Sequence, residues 1–193
     1  SCSRVCEPEM KVQTQTEEVR RLRRTNLELI FSDHNAYCLP PCQNKCPSHI
    51  DIPGFLKANT EGSFIESARI FKRTIPFPSV LGRVCPAPCE SACVRGSHDG
   101  AGFIRPMKAK AAEHCLAEGG YPKPELLPET GKRVGLVGSG PASLTAAYFL
   151  RTLGHDVEIH EAQEHAGGML RYGIPAYRNP PDLLEKEIDQ IRA

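Results

Sequence analysis

Two runs of cysteine, each broken by proline, constrain this chain more than any other feature. Cys38, Cys42 and Cys46 stand in CLPPCQNKCP, and Cys85, Cys89 and Cys93 in CPAPCESAC. Both runs have the form C-x3-C-x3-C, and together they hold six of the nine cysteines. On an unbroken helix such spacing would line one face. Pro40 and Pro41 in the first run, and Pro86 and Pro88 in the second, interrupt it, because proline lacks an amide donor and its ring clashes with the preceding turn. Each triplet must therefore begin as a loop that wraps something.

No secretory signal is visible, so the expected compartment is the reducing cytoplasm, where thiols stay available as ligands. Six thiolates in two groups could serve two [4Fe–4S] clusters, each wanting four ligands. A structural zinc site and a pair of disulfides are the competing readings, and iron–sulfur chemistry is preferred to both. His34 lies four residues before Cys38 in SDHNAYC and is a candidate seventh ligand. An eighth is not evident. Cys115 accompanies Ala111 and Ala112 on a predicted helix and reads as a buried thiol.

Lysine and arginine number 24 against 23 acidic residues, a net charge of +1, so no global field recruits nucleic acid or membrane. The longest uncharged stretch, Val134 to Leu150, is interrupted by Gly135, Gly138, Gly140 and Pro141 and is a poor membrane span. Residues 1–14 read as a strand remnant. Residues 16–32 read as a helix with Thr16 as N-cap, an apolar side of Val19, Leu22, Leu29 and Ile30, and a basic side of Arg20, Arg21, Arg23 and Arg24. That basic side is a solvated face or a docking surface for an acidic partner. Helices are expected from Asp51 to Gly62, from Ser63 to Ile75 and over 106–117. Ser63 and Glu66 suggest a capping box, and Phe64, Ala68, Phe71 and Ile75 form an inward stripe. The proline-rich segment 121–132 is the expected linker.

From Arg133 the pattern becomes βαβ: a short buried strand RVGLVG, a helix over 141–153, and a strand DVEIHE over 156–161. A last helix is expected from Pro181 to Arg192. Gly138-Ser139-Gly140-Pro141-Ala142-Ser143 joins the first strand to its helix. Gly138 permits the tight turn, Gly140 lets backbone approach a pyrophosphate, and the helix N-terminus offers amides to it. Ser143 stands where the fingerprint wants Gly or Ala. Glu161 ends the second strand 23 residues after Gly138, the place of an acid that accepts ribose hydroxyls. It favours FAD or NAD over a 2′-phosphate. Gly167-Gly168-Met169-Leu170 makes a second glycine loop.

The motifs CQNKCPSHIDIPGFL, GRVCPAPCESAC, VGLVGSGPAS and HEAQEHAGGMLRYGIPAYR resemble, in content and order, the N-terminal part of the glutamate synthase small chain and the matching region of dihydropyrimidine dehydrogenase. Residues 1–34 are similar to the junction after the [2Fe–2S] domain in complex I and formate dehydrogenase iron–sulfur subunits. The resemblance implies a multidomain chain. Residues 1–15 would be the remnant of an upstream [2Fe–2S] domain. Residues 16–120 would form an all-α ferredoxin-like domain with two [4Fe–4S] clusters, and 121–132 the linker. Residues 133–193 would begin an α/β Rossmann-like FAD-binding domain that is incomplete here. It also implies that Cys38, Cys42 and Cys93, with His34, share one cluster, and that Cys46, Cys85 and Cys89 share the other. The family's eighth ligand, a glutamine or glutamate, would fall near Lys108. Cys2 would match the last [2Fe–2S] ligand. FAD contacts would come from Gly138 to Ala142, Glu161 to Leu170 (including Gly167, Gly168 and Met169), and Arg178.

The expected function is that of an iron–sulfur flavoprotein oxidoreductase subunit, part of a longer polypeptide and inactive alone. It would pass electrons between NADPH or NADH, FAD and the clusters to a partner subunit or domain. The glutamate synthase small chain proper and a non-catalytic electron relay are the alternatives. No residue reads as a general acid, base or nucleophile.

Overall fold

The computed structural model describes residues 5–34 and 38–192. Contacts divide the chain into two units, residues 1–38 and 39–193.

The first unit carries one helix, α1 (Glu17–Ser32), among its described residues. Thr16 caps it, its side-chain oxygen accepting the Val19 amide at 3.3 Å. The stripe expected on α1 buries nothing: Leu22, Leu29, Ile30 and Phe31 are all more than half exposed. No strand forms over residues 5–14; a turn closes there instead, with the Met10 amide donating to the Glu7 carbonyl. Alternation alone does not make a strand where no second strand accepts its hydrogen bonds. Cys2 lies outside the described residues.

The second unit opens with seven helical segments. They are α2 (Pro41–Lys45), α3 (Ile52–Thr60), α4 (Phe64–Lys72), α5 (Pro78–Val84), α6 (Pro88–Ser91), a short 3-10 turn (Val94–Ser97) and α7 (Ile104–Ala117). Four of them, α2, α3, α5 and α6, have proline at the first or second helical position, where its missing amide would have had no partner. The predicted stripe on α4 is inward: Ala68 and Phe71 are fully buried, and Phe71 meets Phe55 of α3 edge-on at 6.0 Å. Each such phenylalanine contributes about 2–3 kcal/mol of transfer free energy. Ala111, Ala112 and Cys115 of α7 complete this core. Gly82 on α5 lets α7 approach closely; a methyl group there would sit 2.5 Å from the Ala109 Cβ.

The expected capping box at Ser63 does not form. Its side chain makes no cap bond, and Glu66 instead pairs with Arg69 one turn on.

The remainder is β1 (Arg133–Val137), α8 (Pro141–Thr152), β2 (Asp156–His160), α9 (Met169–Tyr172) and α10 (Pro181–Arg192). The two strands pair in parallel, with Arg133 opposite Asp156 and Val137 opposite His160. β1 is not the fully buried strand its apolar run suggests. Val134 and Leu136 are half-buried while Val137 is 91% exposed, because α8 packs on one face of this two-stranded sheet. Thus the chain combines a helical ferredoxin-like region with a Rossmann-like beginning.

A second apolar cluster joins these regions. Phe77 and Val80 at α5 meet Leu144 of α8 and Leu184 and Ile188 of α10. At its edge Glu187 of α10 is wholly buried, and its carboxylate accepts the Ser79 and Val80 amides, each at 2.8 Å, and the Tyr121 hydroxyl. Lys72 is buried nearby, donating to the Pro76 carbonyl at 3.3 Å and lying over the rings of Tyr121 and Tyr148. No helix among the described residues is long and apolar enough to cross a membrane.

Candidate metal centre and dinucleotide site

The prolines break the cysteine triplets as the sequence demands, but each break restarts a helix. In the first triplet Pro41 opens α2, Cys42 lies in its first turn, and Cys46 caps its end. In the second, Cys85 caps α5, Ala87 turns left-handed at φ +55°, Pro88 opens α6, and Cys89 lies within it. The left-handed residue costs about 1–2 kcal/mol where glycine would cost none. Cys93 then precedes the 3-10 turn.

α2 packs against α6, which brings the two triplets together. Cys46, Cys85 and Cys89 line one small pocket with Lys108 and Arg105 at its side and Ile50, Ile52, Phe55 and Ile104 as apolar walls. Cys42 interacts electrostatically with Cys93 as well as with Cys46. Within the first unit the His34 Nε2 lies 3.6 Å from the Cys38 Sγ.

Backbone amides point at these sulfurs. Ala87 donates to Cys85 at 3.4 Å, and Gly102 to Cys93 at 3.5 Å. The Gly102 bond leads a set of amide contacts that hold the Cys93 thiol below its ordinary pKa. Burial pushes the Cys42 and Cys89 thiols up. Arg105 fixes the wall, donating from its guanidinium to the Cys85 carbonyl at 2.9 Å and from its amide to Glu90 at 2.8 Å. Three soft sulfur donors in an apolar wall, with N–H groups aimed at the sulfurs, suit an iron–sulfur cluster. Cys115 is apart from this set, fully buried in the core with its thiol against the Phe64 carbonyl.

Lys108 was marked by sequence only through resemblance. It is 6% exposed and shares the pocket of the three thiols. Burial lowers its pKa, and Cys85, Cys46 and Cys89 pull it back up. Arg105, Glu187, Tyr121 and Lys72 went unremarked in the sequence. A glutamate at the i+3 position from Leu184 and next to Ile188 on an amphipathic helix was the available signal for Glu187.

The glycine loops form one cradle. Gly138 adopts φ +82°, and the Gly167 amide donates to the Ser139 carbonyl at 3.0 Å. Gly168 abuts Gly140 so closely that a Cβ would lie 2.8 Å from the Gly140 Cα. Pro141 and Ala142 are exposed in the first turn of α8, whose N-terminus has no side-chain cap. Its first amides are therefore available to an anion. Glu161 accepts the Ser139 amide at 2.7 Å and also the Ser139 hydroxyl. The hydroxyl bond leads the contacts that hold the Glu161 carboxyl down at about 2. Leu170 packs on the second apolar cluster, Met169 is 70% exposed, and Arg178 is exposed in the turn before α10. A cleft of about 600 Å3 is lined by Ser139, Glu161, Ile159, Tyr148 and Tyr121 among others.

Residues 32–119 match the family described as dihydropyrimidine dehydrogenase domain II, 4Fe-4S cluster, and residues 136–176 the NAD(P)-binding Rossmann-like domain. The chain is 42% identical over 153 residues to the NADPH-Fe(3+) oxidoreductase subunit beta of Geobacter sulfurreducens, covering 78% of this chain and 23% of that protein. It is 36% identical over 181 residues to the NADP(+)-dependent formate dehydrogenase subunit beta of Moorella thermoacetica, covering 83% and 26%. It is 35% identical over 151 residues to the glutamate synthase [NADPH] small chain of Escherichia coli, covering 77% and 31%. The chain thus spans about a quarter to a third of the length of these relatives.

Proposed function

We propose that this chain is the cluster-bearing and flavin-binding part of an iron–sulfur flavoprotein oxidoreductase subunit that moves electrons between NAD(P)H, FAD and two [4Fe–4S] clusters and on to a partner subunit. The observation that carries this reading is the convergence of Cys46, Cys85 and Cys89 on one pocket, at the end of a helix whose other end is held by α10. The related subunits are named for NADPH- or NADP(+)-dependent oxidoreductions, which supports the same class of chemistry.

In this reading Cys46, Cys85 and Cys89 bind one cluster, and Cys42 and Cys93 belong to the other. His34 and Cys38, adjacent in their own unit, are carried as further iron ligands. Clusters supply one-electron transfer and bound FAD the change from electron pairs to single electrons. The protein's part is placement. Gly138, Gly140 and the α8 amides would hold a pyrophosphate, with Pro141 and Ala142 leaving its approach open. Glu161, held as a carboxylate by Ser139, would accept ribose hydroxyls. Gly167, Gly168, Met169, Leu170 and Arg178 border the rest of the flavin. Domains are assigned as residues 16–120 for the clusters, 121–132 for the linker and 133–193 for the flavin, with 1–15 following a [2Fe–2S] domain. A cytoplasmic setting fits the free thiols.

The test is anaerobic purification of the whole protein, assay of iron, acid-labile sulfide, zinc and flavin, and measurement of NAD(P)H:viologen reductase activity. Two clusters and FAD with reductase activity are expected. Zinc without sulfide would overturn the reading. Clusters and flavin without pyridine nucleotide oxidation would leave a relay and refute the enzyme.

A further inference from the structure

Both ends of the second glycine loop are tied by side chains, and both ties lead to α10. Gly167 and Gly168 take φ +122° and +49°, backbone that a residue with a side chain rarely adopts. Two such residues in succession are costly to hold in one conformation, because glycine loses the most freedom on ordering. At the near end, the Arg171 guanidinium donates from Nε to the Ala166 carbonyl at 2.6 Å. The same guanidinium pairs with Glu185 of α10. At the far end, α9 stops after one turn and leaves carbonyls without a helical amide. The Gly173 amide takes the Met169 carbonyl, and Asn179 takes the Leu170 carbonyl, its Nδ2 donating at 2.8 Å. Asn179 is 2% exposed and directly precedes Pro180 and Pro181, where α10 opens. Its Oδ1 is buried with no donor. An apolar side chain of similar volume would avoid that desolvation cost, so packing alone does not account for an amide here. The contact with Leu170 does.

Resting on the flavin reading above, we propose that Arg171 and Asn179 form a clamp that presets the loop from Gly167 to Leu170 for the flavin, so that binding does not have to order two glycines. Both act through the loop as positioning residues, and Glu185 anchors Arg171. A loop without the clamp samples more backbone conformations and must lose that freedom when the flavin arrives, which weakens affinity.

The experiment uses the whole protein, prepared anaerobically, stripped of flavin and titrated with FAD. Stoichiometric binding by the wild type comes first: its absence defeats the flavin reading itself, and the clamp with it. Asn179→Ala and Arg171→Met are each expected to raise the FAD dissociation constant about tenfold, the cost of ordering roughly one more residue on binding. The double variant should lose little beyond the weaker-binding single variant, because either break frees the same loop. Without flavin, the Gly167 and Leu170 amides should exchange faster in each variant than in the wild type. Unchanged affinity or unchanged exchange overturns the proposal, whatever happens to thermal stability. So do single effects that multiply in full in the double variant. Should either variant fail to fold, Glu185→Gln decides, since it removes only the half-exposed charge that anchors Arg171. Weaker FAD binding with faster Gly167 exchange then supports the clamp, and wild-type values overturn it.

Discussion

Glu187 on α10 receives the amide of Ser79, 108 residues earlier in the chain, at 2.8 Å. Val80 and Tyr121 donate to the same carboxylate. Three donors around one buried acid give a contact that a shorter, uncharged or apolar side chain cannot replace.

Burial raises the Glu187 carboxyl to about 7 from an ordinary 4.5 and lowers Lys72 to about 8 from 10.5. Between pH 4.5 and 7 the folded state retains a proton that the unfolded state has released, so stability falls as pH rises. Between pH 8 and 10.5 the unfolded chain holds the extra proton, so stability rises again. Denaturant titrations across pH should show a minimum near pH 7–8. Glu187→Gln should flatten the acid limb, which amounts to on the order of 3 kcal/mol at most. Its amide group would also confront a donor, at a cost of about 1–3 kcal/mol at low pH.

Cysteine variants should separate by role. Cys46→Ala, Cys85→Ala and Cys89→Ala should each remove the same EPR signal, and Cys42→Ala and Cys93→Ala a different one. Cys115→Ala should leave iron and sulfide unchanged and lower stability by roughly 1 kcal/mol for the lost packing. Iron loss from the Cys115 variant would show that the core thiol had been misread.

The cradle glycines make a paired test. Gly140 has ordinary dihedrals and open space where a Cβ would point. Gly140→Ala should fold like the wild type yet bind FAD at least about tenfold more weakly, because the methyl obstructs the pyrophosphate approach. Gly168→Ala should damage both fold and binding, since its Cβ would meet the Gly140 backbone and its φ is +49°. A strain of about 1–3 kcal/mol is expected. Thermal melts and flavin titrations read the two effects.

Glu161 is stabilised as a carboxylate, so any stability it lends is present above pH 4.5 and disappears as pH falls toward 2. Ser139→Ala removes the leading donor, and NMR titration should find the Glu161 pKa moved back toward 4.5. Flavin affinity should show no titration from this group between pH 5 and 8 in the wild type.

Local periodicity made much of the fold legible. The α4 stripe, α7, and the strand–helix–strand order follow from spacing and from where glycine and proline stand. The triplets suggested a metal site, and the fold brings Cys46, Cys85 and Cys89 of the two triplets to one pocket. What sequence did not disclose depends on partners far along the chain. Pro41 and Pro88 read as helix breakers, yet each opens a short helix, because at the first helical position proline's missing amide has no intrahelical acceptor and no preceding turn stands in the way of its ring. Glu66 preferred Arg69 to its capping role. Glu187 gave little warning because Ser79 and Tyr121 are 108 and 66 residues away. The apolar side of α1 promised burial that its own unit does not provide.

Helix α5 begins at the amides held by Glu187 and ends at Cys85. Seven residues at 1.5 Å each make a strut about 10 Å long. Because α10 grips one end and a candidate iron ligand caps the other, displacement of the nucleotide-binding half cannot be absorbed by a flexible hinge at this point. It is transmitted along a short rigid lever, and the spacing between the glycine cradle and the pocket of Cys46, Cys85 and Cys89 becomes a fixed dimension of the protein.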